Sequence, residues 1–313
     1  MRLRFIKCHG SGNDFPLIDA RAFSFPDEEW ARIARALADR SGPVGGDGLL
    51  LLNGGDGEHA FGMRMFNSDG SEAETCLNGL RCVARAGFET LGIDHVRVRL
   101  ATSAAEVRRD ADLAPGVYTV EERAGPAGVD VRAWPMDSGT DRMIDAVIPA
   151  LSPGLRFTAV AMPNPHLVAF VEQVDEAELV RVGLLCEAAP PWLPNRANVS
   201  FVERRPDSLF VRTHERGVGL TDACGSAMAA AAVAAGLTGR VPFGTAVTIN
   251  NRGGPARARA EADGRVTLSG NATFEWEGEI EWSGERARDL RVLRRFDQEI
   301  AAWSAARGEP VAA

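Results

Sequence analysis

The sequence predicts an α/β (α+β) fold built as two similar halves, and three observations carry that prediction. Short apolar or alternating runs of strand length recur along the chain, interrupted by only a few helical patterns. Two of those helical patterns begin at a cysteine behind a glycine-bearing polar turn, at Cys76 and at Cys224. Each cysteine also follows an asparagine-bearing turn at a similar distance, 63 residues from Asn13 to Cys76 and 60 from Asn164 to Cys224.

The first strand is expected at Leu3–Lys7, leading through the Gly/Asn turn His9–Phe15 to a second near Leu17–Asp19. Pro16 has no N–H for a ladder and belongs at an edge or bulge. Asp27–Arg40 reads as an amphipathic helix with Asp27 as its cap and Trp30, Ile33, Ala34 and Leu37 in one stripe. Ser41–Gly48 is glycine-rich, but no Lys-Ser/Thr follows and no GxGxxG is present, so it is a tight turn and not a phosphate loop. A strand follows at Leu49–Leu52, then a short apolar segment, Phe61–Phe66, which leads through a polar turn into the helix headed by Cys76, with Leu77, Leu80, Ala84, Phe88 and Leu91 at helical spacing. Further strands are expected at Val96–Leu100 and Glu106–Val107, and Ala124–Gly128 is the best linker candidate.

Beyond it, Val129–Met136, Phe157–Val160 and Leu167–Val171 read as strands, Asp175–Leu185 as a helix, and the proline-rich Ala189–Asn195 as a loop. Strands near Val199–Glu203 and Leu209–Thr213 precede the Cys224 helix, which is apolar on nearly every side and must be buried. Alternating stretches at Ala246–Asn250, Ala256–Ala260 and Val266–Ser269 follow. Glu285–Gly308 places Leu293, Phe296, Ile300 and Trp303 at helical spacing. Packing of that helix on its own domain is the simpler reading, and a subunit contact in a homodimer is the alternative.

At 313 residues the chain accommodates two domains or one large one. Its net charge of -8 and the lack of a dense Lys/Arg block exclude a nucleic-acid-tracking surface. The longest apolar run, Ala227–Leu237, falls well short of the roughly 20 residues that span a bilayer. MRLRFIKCHG has no long apolar core of the secretory kind. Five cysteines, an odd number without metal-type spacing, fit a reducing cytoplasm, and scattered histidines offer no zinc site. Cys8, Cys82 and Cys186 read as small apolar residues.

A cysteine alone at a helix start is as readily a buried hydrophobe as a catalyst. Two of them, each opening a helix, suit proton transfer on both faces of one carbon, with one thiolate removing a proton, the opposite thiol delivering one and no cofactor required. The helix dipole and free N–H groups would lower the thiol pKa values. The amides near Leu77–Asn78 and Gly225–Ser226 would stabilise a substrate carboxylate as charge develops on it.

HGSGNDF (9–15), FNSDGSEAETCLNGLRC (66–82), MPNPHLV (162–168), NRANVSFV (195–202), HERGVGLTDACGS (214–226) and GRVTLSGNATFEWEGEI (264–280) occur in that order. On these segments the chain resembles the diaminopimelate epimerases, cofactor-independent two-cysteine amino acid epimerases. The resemblance implies two pseudo-symmetric domains, each a mixed sheet wrapped around a central helix, with a cleft between them. The expected domains are 1–123, rejoined by about 271–313, and 124–270. It implies Cys76 and Cys224 as the acid/base pair with His166 and Glu215 in support, and Asn13, Asn67, Asn164, Asn198 and Arg216 as substrate-holding groups. Arg216, with Asn67 and Asn198, would recognise the far carboxylate and amine of diaminopimelate. Four departures from the family pattern are Leu77 after the first cysteine, Leu220 in place of a glutamate, Gly225-Ser226-Ala227 after the second cysteine, and Ala105 where glycine is usual. The expected activity is interconversion of LL- and meso-diaminopimelate; the alternatives are a racemase of another amino acid and a non-catalytic binding relative.

Overall fold

The computed structural model describes residues 1–74, 76–134, 136–162 and 164–308. Two compact units divide the chain: Met1–Glu122 with Ser269–Ala313, and Arg123–Leu268.

The chain opens on β1 (Arg2–Gly10) and β2 (Asn13–Asp19), an antiparallel pair joined at Ser11 and Gly12, both with positive φ. Pro16 pairs with Lys7 and lies just outside the parallel β2–β3 register, which begins at Leu17–Leu50. There follow α1 (Asp27–Ala38), β3 (Gly48–Gly54), β4 (Phe61–Asn67), the short β5 (Glu72–Ala73), α2 (Leu77–Leu91), β6 (His95–Arg99), β7 (Ala104–Asp110) and β8 (Thr119–Ala124). The stripe expected on α1 is buried, but Asp27 does not cap the helix. Pro26 occupies the N-cap without a side-chain bond, and the Asp27 carboxylate lies 2.8 Å from Arg64 Nη1.

Val129–Met136 is not a strand: the Asp130 side chain caps a single 3-10 turn, Val131–Ala133, by accepting from Arg132 N–H. Pro135, in the same stretch, lies outside the described residues. The chain continues through β9 (Ala146–Ile148), β10 (Ser152–Ala161), β11 (Pro165–Val171), α3 (Glu176–Glu187), β12 (Asn198–Arg205), β13 (Ser208–Glu215) and β14 (Gly219–Thr221). Then come α4 (Gly225–Leu237), β15 (Ala246–Asn251), β16 (Gly254–Ala260), β17 (Val266–Asn271), β18 (Thr273–Trp282), β19 (Ala287–Arg295) and α5 (Asp297–Ala306).

The helix expected over Glu285–Gly308 is therefore a strand followed by a shorter helix. Irregularities in the β18–β19 register, and Asp289 with φ 52°, break the period-two alternation that would have marked the strand. Trp303 is the one buried residue of α5, and its ring lies 5.8 Å from that of His9.

In the first unit, strand pairing runs β19–β18–β1–β2–β3–β4–β6–β7–β8, with parallel steps at β2–β3 and β4–β6. The sheet has helices on both faces, so β3 reads as an unbroken apolar run whose side chains alternate in destination. Leu50 and Leu52 meet Leu80, Val83, Ala84 and Phe88 of α2. Leu49 and Leu51 meet Trp30, Ile33 and Leu37 of α1. Helix α2 packs against β1, β2, β3, β4 and β7, and so lies within the curve of the sheet.

In the second unit, β9–β10–β11–β12–β13 pair in sequence, with β11–β12 parallel; β13 also pairs with β14 and, in parallel, with β15, which pairs with β16. Helix α4 packs against β10, β11, β12, β13 and β16. Its residues Ala227–Ala235 are all buried, as a helix without a polar face must be. Helix α3 covers the outer face through Leu179, Val182 and Cys186.

Candidate active site

Cys76 and Cys224 are the N-cap residues of α2 and α4, the enclosed helices of the two units. Both have extended backbone at the cap, with φ -149° and -130°, and each carbonyl accepts the first helical bond, from Leu80 N (2.8 Å) and Met228 N (3.0 Å) respectively. The N–H groups of the first turn have no carbonyl of their own helix to meet. Those of Leu77 and Asn78, and of Gly225 and Ser226, lie at the positive ends of α2 and α4.

In the first unit, Gly79 N–H donates to Cys76 Sγ at 3.3 Å. The thiol donates to Asn13 Oδ1 at 3.7 Å, and Asn78 Nδ2 donates to the same oxygen at 3.5 Å. Cys76, Asn13 and Asn78 are thus brought together. Asn67, at the end of β4, hydrogen-bonds instead within its turn: its Nδ2 donates to Ser71 Oγ at 3.0 Å.

Behind these groups lies a buried polar network that motif reading missed. Arg81, wholly enclosed, reaches Asn78 Oδ1 (2.6 Å), Ser11 Oγ (3.1 Å), Asn271 O (3.1 Å) and Glu122 Oε1 (2.8 Å). Its signal was visible: Arg81 stands four residues after Leu77, on the very stripe expected to face inward. Gly10 runs so close that a Cβ there would lie 2.5 Å from Asn78 O. Asn271 Oδ1 accepts from Ser11 N at 2.6 Å, which fixes the turn leading to Asn13.

In the second unit, the parallel register sets His166 beside Asn198. His166 Nε2 lies 3.1 Å from Asn164 Oδ1 and 3.4 Å from Asn198 Nδ2. Arg216 N–H donates to Asn198 Oδ1 at 2.8 Å, and Arg216 Nη1 donates to Asn195 O at 2.8 Å. Burial, with Arg216 adding to it, lowers the His166 pKa to about 3, so the imidazole is neutral at physiological pH. Glu215 accepts from Thr221 Oγ1 and also bears on the Cys224 thiol. Cys224 Sγ lies 3.4 Å from Ser226 Oγ.

The thiols depart from expectation. Burial pushes Cys76 up to about 12, against the lowering effects of Gly79 N–H and Arg81. Cys224 is raised as well, by burial first and then by the Glu215 carboxylate, with Ser226 and Ala227 N–H opposing. At both sulfurs the loss of water outweighs the hydrogen bonds and charges that favour the thiolate. Cys8, Cys82 and Cys186 are buried apolar residues in strand or helix.

Among the described residues, no group of three or more His, Cys, Asp and Glu could hold a metal ion, and no helix is long and apolar enough to cross a membrane.

Leu77 is partly buried at the start of α2, Leu220 is exposed in β14, and Ala227 is buried in α4. Ala105 is buried in β7, opposite Val98.

The family model described as diaminopimelate epimerase matches residues 5–119 and 158–275. The diaminopimelate epimerase of Clostridium acetobutylicum is 38% identical over 266 residues, covering 84% of this chain and 80% of that one. That of Enterococcus faecalis is 41% identical over 264 residues, covering 81% and 80%. Among solved structures, a phenazine biosynthesis protein of the PhzF family from Bacillus anthracis superposes with a TM-score of 0.65 at 13% identity, over 90% of this chain and 100% of that one. A hydroxyproline epimerase from Agrobacterium vitis does so with 0.61 at 16% identity, over 98% of each chain. The structural likenesses establish the fold, and the sequence matches establish the family. The chain belongs to the diaminopimelate epimerase family.

Proposed function

We propose that this protein interconverts LL- and meso-diaminopimelate by proton transfer at one α-carbon, with Cys76 and Cys224 as the two acid/base groups and no cofactor. The observation that carries the reading is the matched setting of the two cysteines. Each caps an enclosed helix and has polar side chains beside its sulfur: Asn13 at Cys76, and Ser226 and Glu215 at Cys224. Identity of 38–41% to relatives named diaminopimelate epimerase supports the substrate.

One thiolate abstracts the α-proton while the other thiol reprotonates the opposite face. The first-turn amides of α2 and α4 stabilise the charge that develops on the substrate carboxylate. Neutral His166, held by Asn164 and Asn198, orients the substrate amine, and Glu215 tunes the Cys224 thiol. Arg216, Asn67 and Asn198 recognise the distal end, where a guanidinium fork matches a carboxylate. Raised thiol pKa values make both sulfurs proton carriers in the free enzyme, so one proton leaves before or as substrate binds. The five free cysteines are in keeping with work in a reducing cytoplasm.

The test is incubation of the purified protein with LL-diaminopimelate, without added cofactor, and chromatographic separation of the stereoisomers. Accumulation of meso product to near equality is expected. Inertness toward diaminopimelate, together with racemisation of a different amino acid in a substrate panel, would transfer the mechanism to another substrate.

A further inference from the structure

The glycine-rich turn before β3 holds the residue that orients Asn13. We propose that Asp47 is a positioning residue of the Cys76 site: by accepting the Asn13 amide N–H it fixes the Asn13 carbonyl oxygen on the sulfur and favours the protonated, proton-donating form of Cys76. The inference deepens the two-cysteine reading, since it is that reading that makes the Cys76 proton matter.

An asparagine amide has two ends that look alike in shape and differ in chemistry. Asn13 Nδ2 donates to Asp47 Oδ2, and a carboxylate can only accept, so the amide nitrogen is committed to that side. Oδ1 is thereby turned toward the helix start, where it takes Cys76 Sγ–H at 3.7 Å and Asn78 Nδ2 at 3.5 Å. A carbonyl oxygen there accepts from a thiol and repels a thiolate. With the amide reversed, an N–H would face the sulfur and favour the anion.

Asp47 is itself held on several sides. Asp47 N donates to Asp14 O at 2.8 Å, and Asp14 N donates to Asp47 Oδ2 at 3.1 Å. Arg40 Nη2 reaches Asp14 Oδ1 and Asp47 Oδ1, each at 2.7 Å. The turn approaches β2 so closely that a Cβ on Gly46 would lie 3.0 Å from Asp14 O, and Gly45 has φ 70°. The glycines of the turn thus serve to bring Asp47 against β2. No phosphate is needed to explain them.

The titratable and charged groups bearing on Cys76 are Arg81 and Cys82 on its own helix and Glu122 on β8. Around Asp47 and its partner Asp14 stand Arg40, Lys7 on β1 and Glu275 on β18. Among the described residues, Asp47 is the charged side chain that hydrogen-bonds the Asn13 amide.

Alkylation of Cys76 by iodoacetamide, followed by peptide mass spectrometry as a function of pH, tests this on the full-length protein without any substrate. Its outcome is therefore independent of whether diaminopimelate is turned over. Asp47 is exposed, so its variants are expected to fold, as thermal melting would verify. Asp47→Ala should raise the Cys76 rate at pH 9 by about threefold or more, equivalent to a fall of half a pKa unit, and leave Cys224 unchanged. Asp47→Asn, which keeps an acceptor oxygen, should lie closer to wild type. Asn13→Ala should also raise the rate, and adding Asp47→Ala to it should change nothing further. An unchanged Cys76 rate in Asp47→Ala, a parallel rise at Cys224, or a full further rise in the double variant would overturn the proposal. The last result would mean that Asp47 acts by its own charge and not through Asn13.

Discussion

Arg81 and Glu122 form an ion pair with Nη1 2.8 Å from Oε1 and neither side chain accessible to solvent. Arg81 stands five residues along α2 from Cys76, and its guanidinium also holds Asn78 and the Ser11 turn. Burial raises the Glu122 carboxyl to about 7 even with Arg81 beside it. A buried pair of this kind adds little net stability when both partners are present, yet removing one strands the other's charge in the core. Its value here is positional, because Arg81 cannot shift without moving Asn78 and the turn that presents Asn13.

Replacing Glu122 by alanine should therefore destabilise the protein by about 3–5 kcal/mol in urea denaturation, whereas glutamine, which keeps an acceptor for Arg81, should do markedly less harm. Equal losses in the two variants would mean that the acceptor geometry at Arg81 is unimportant.

Stability should also fall with acid. His9 is lowered to about 4 and His166 to about 3, in both cases chiefly by burial. An unfolded histidine titrates near 6.5. As pH drops below that value, the unfolded chain takes up protons that the native state refuses. Each histidine then contributes a slope of about 1.4 kcal/mol per pH unit until its native pKa is reached. Glu122 acts the other way: a carboxyl raised to about 7 favours the native state as pH falls toward its unfolded value near 4.5. Two histidines outweigh one glutamate, so net stability declines between pH 6 and 4. Denaturant titrations of His9→Gln and His166→Gln should each show a shallower decline than wild type, and slopes identical to wild type would contradict the buried neutral imidazoles.

The thiols should be sluggish in the free enzyme. With Cys76 pushed to about 12 and Cys224 also raised, alkylation of both should climb steadily beyond pH 9. A plateau at or below pH 8 for either cysteine would mean that the helix-terminal field prevails over burial after all.

Much of this arrangement was legible in the sequence. The α1 stripe, the wholly apolar α4 and the two cysteine-headed helices announced themselves by period and composition, because each reflects a burial pattern with a fixed repeat. The β19 strand did not, because a bulge at Asp289 and register irregularities break its alternation while Leu293, Phe296, Ile300 and Trp303 happen to fall at helical spacing. Asp27 misled because its carboxylate is taken by Arg64 of β4, a partner that no short-range pattern contains. The polar supports of Cys76 were hidden in a similar way. Asp47 lies in a turn explained by its glycines alone, and Glu122 meets Arg81 across 41 residues of sequence. The sign of the thiol shifts was missed because desolvation is a property of the folded surroundings, whereas the helix start could be read from the chain.

The central claim, that Cys76 and Cys224 act on one stereocentre as separate bases, is tested most directly by deuterium placement. LL-Diaminopimelate is incubated in heavy water with wild-type enzyme, and both stereoisomers are analysed at low conversion. The account predicts deuterium at the α-carbon of the meso product, little in the recovered substrate, and loss of product formation in both Cys76→Ala and Cys224→Ala. Equal early labelling of substrate and product, or unimpaired turnover in either variant, would contradict it.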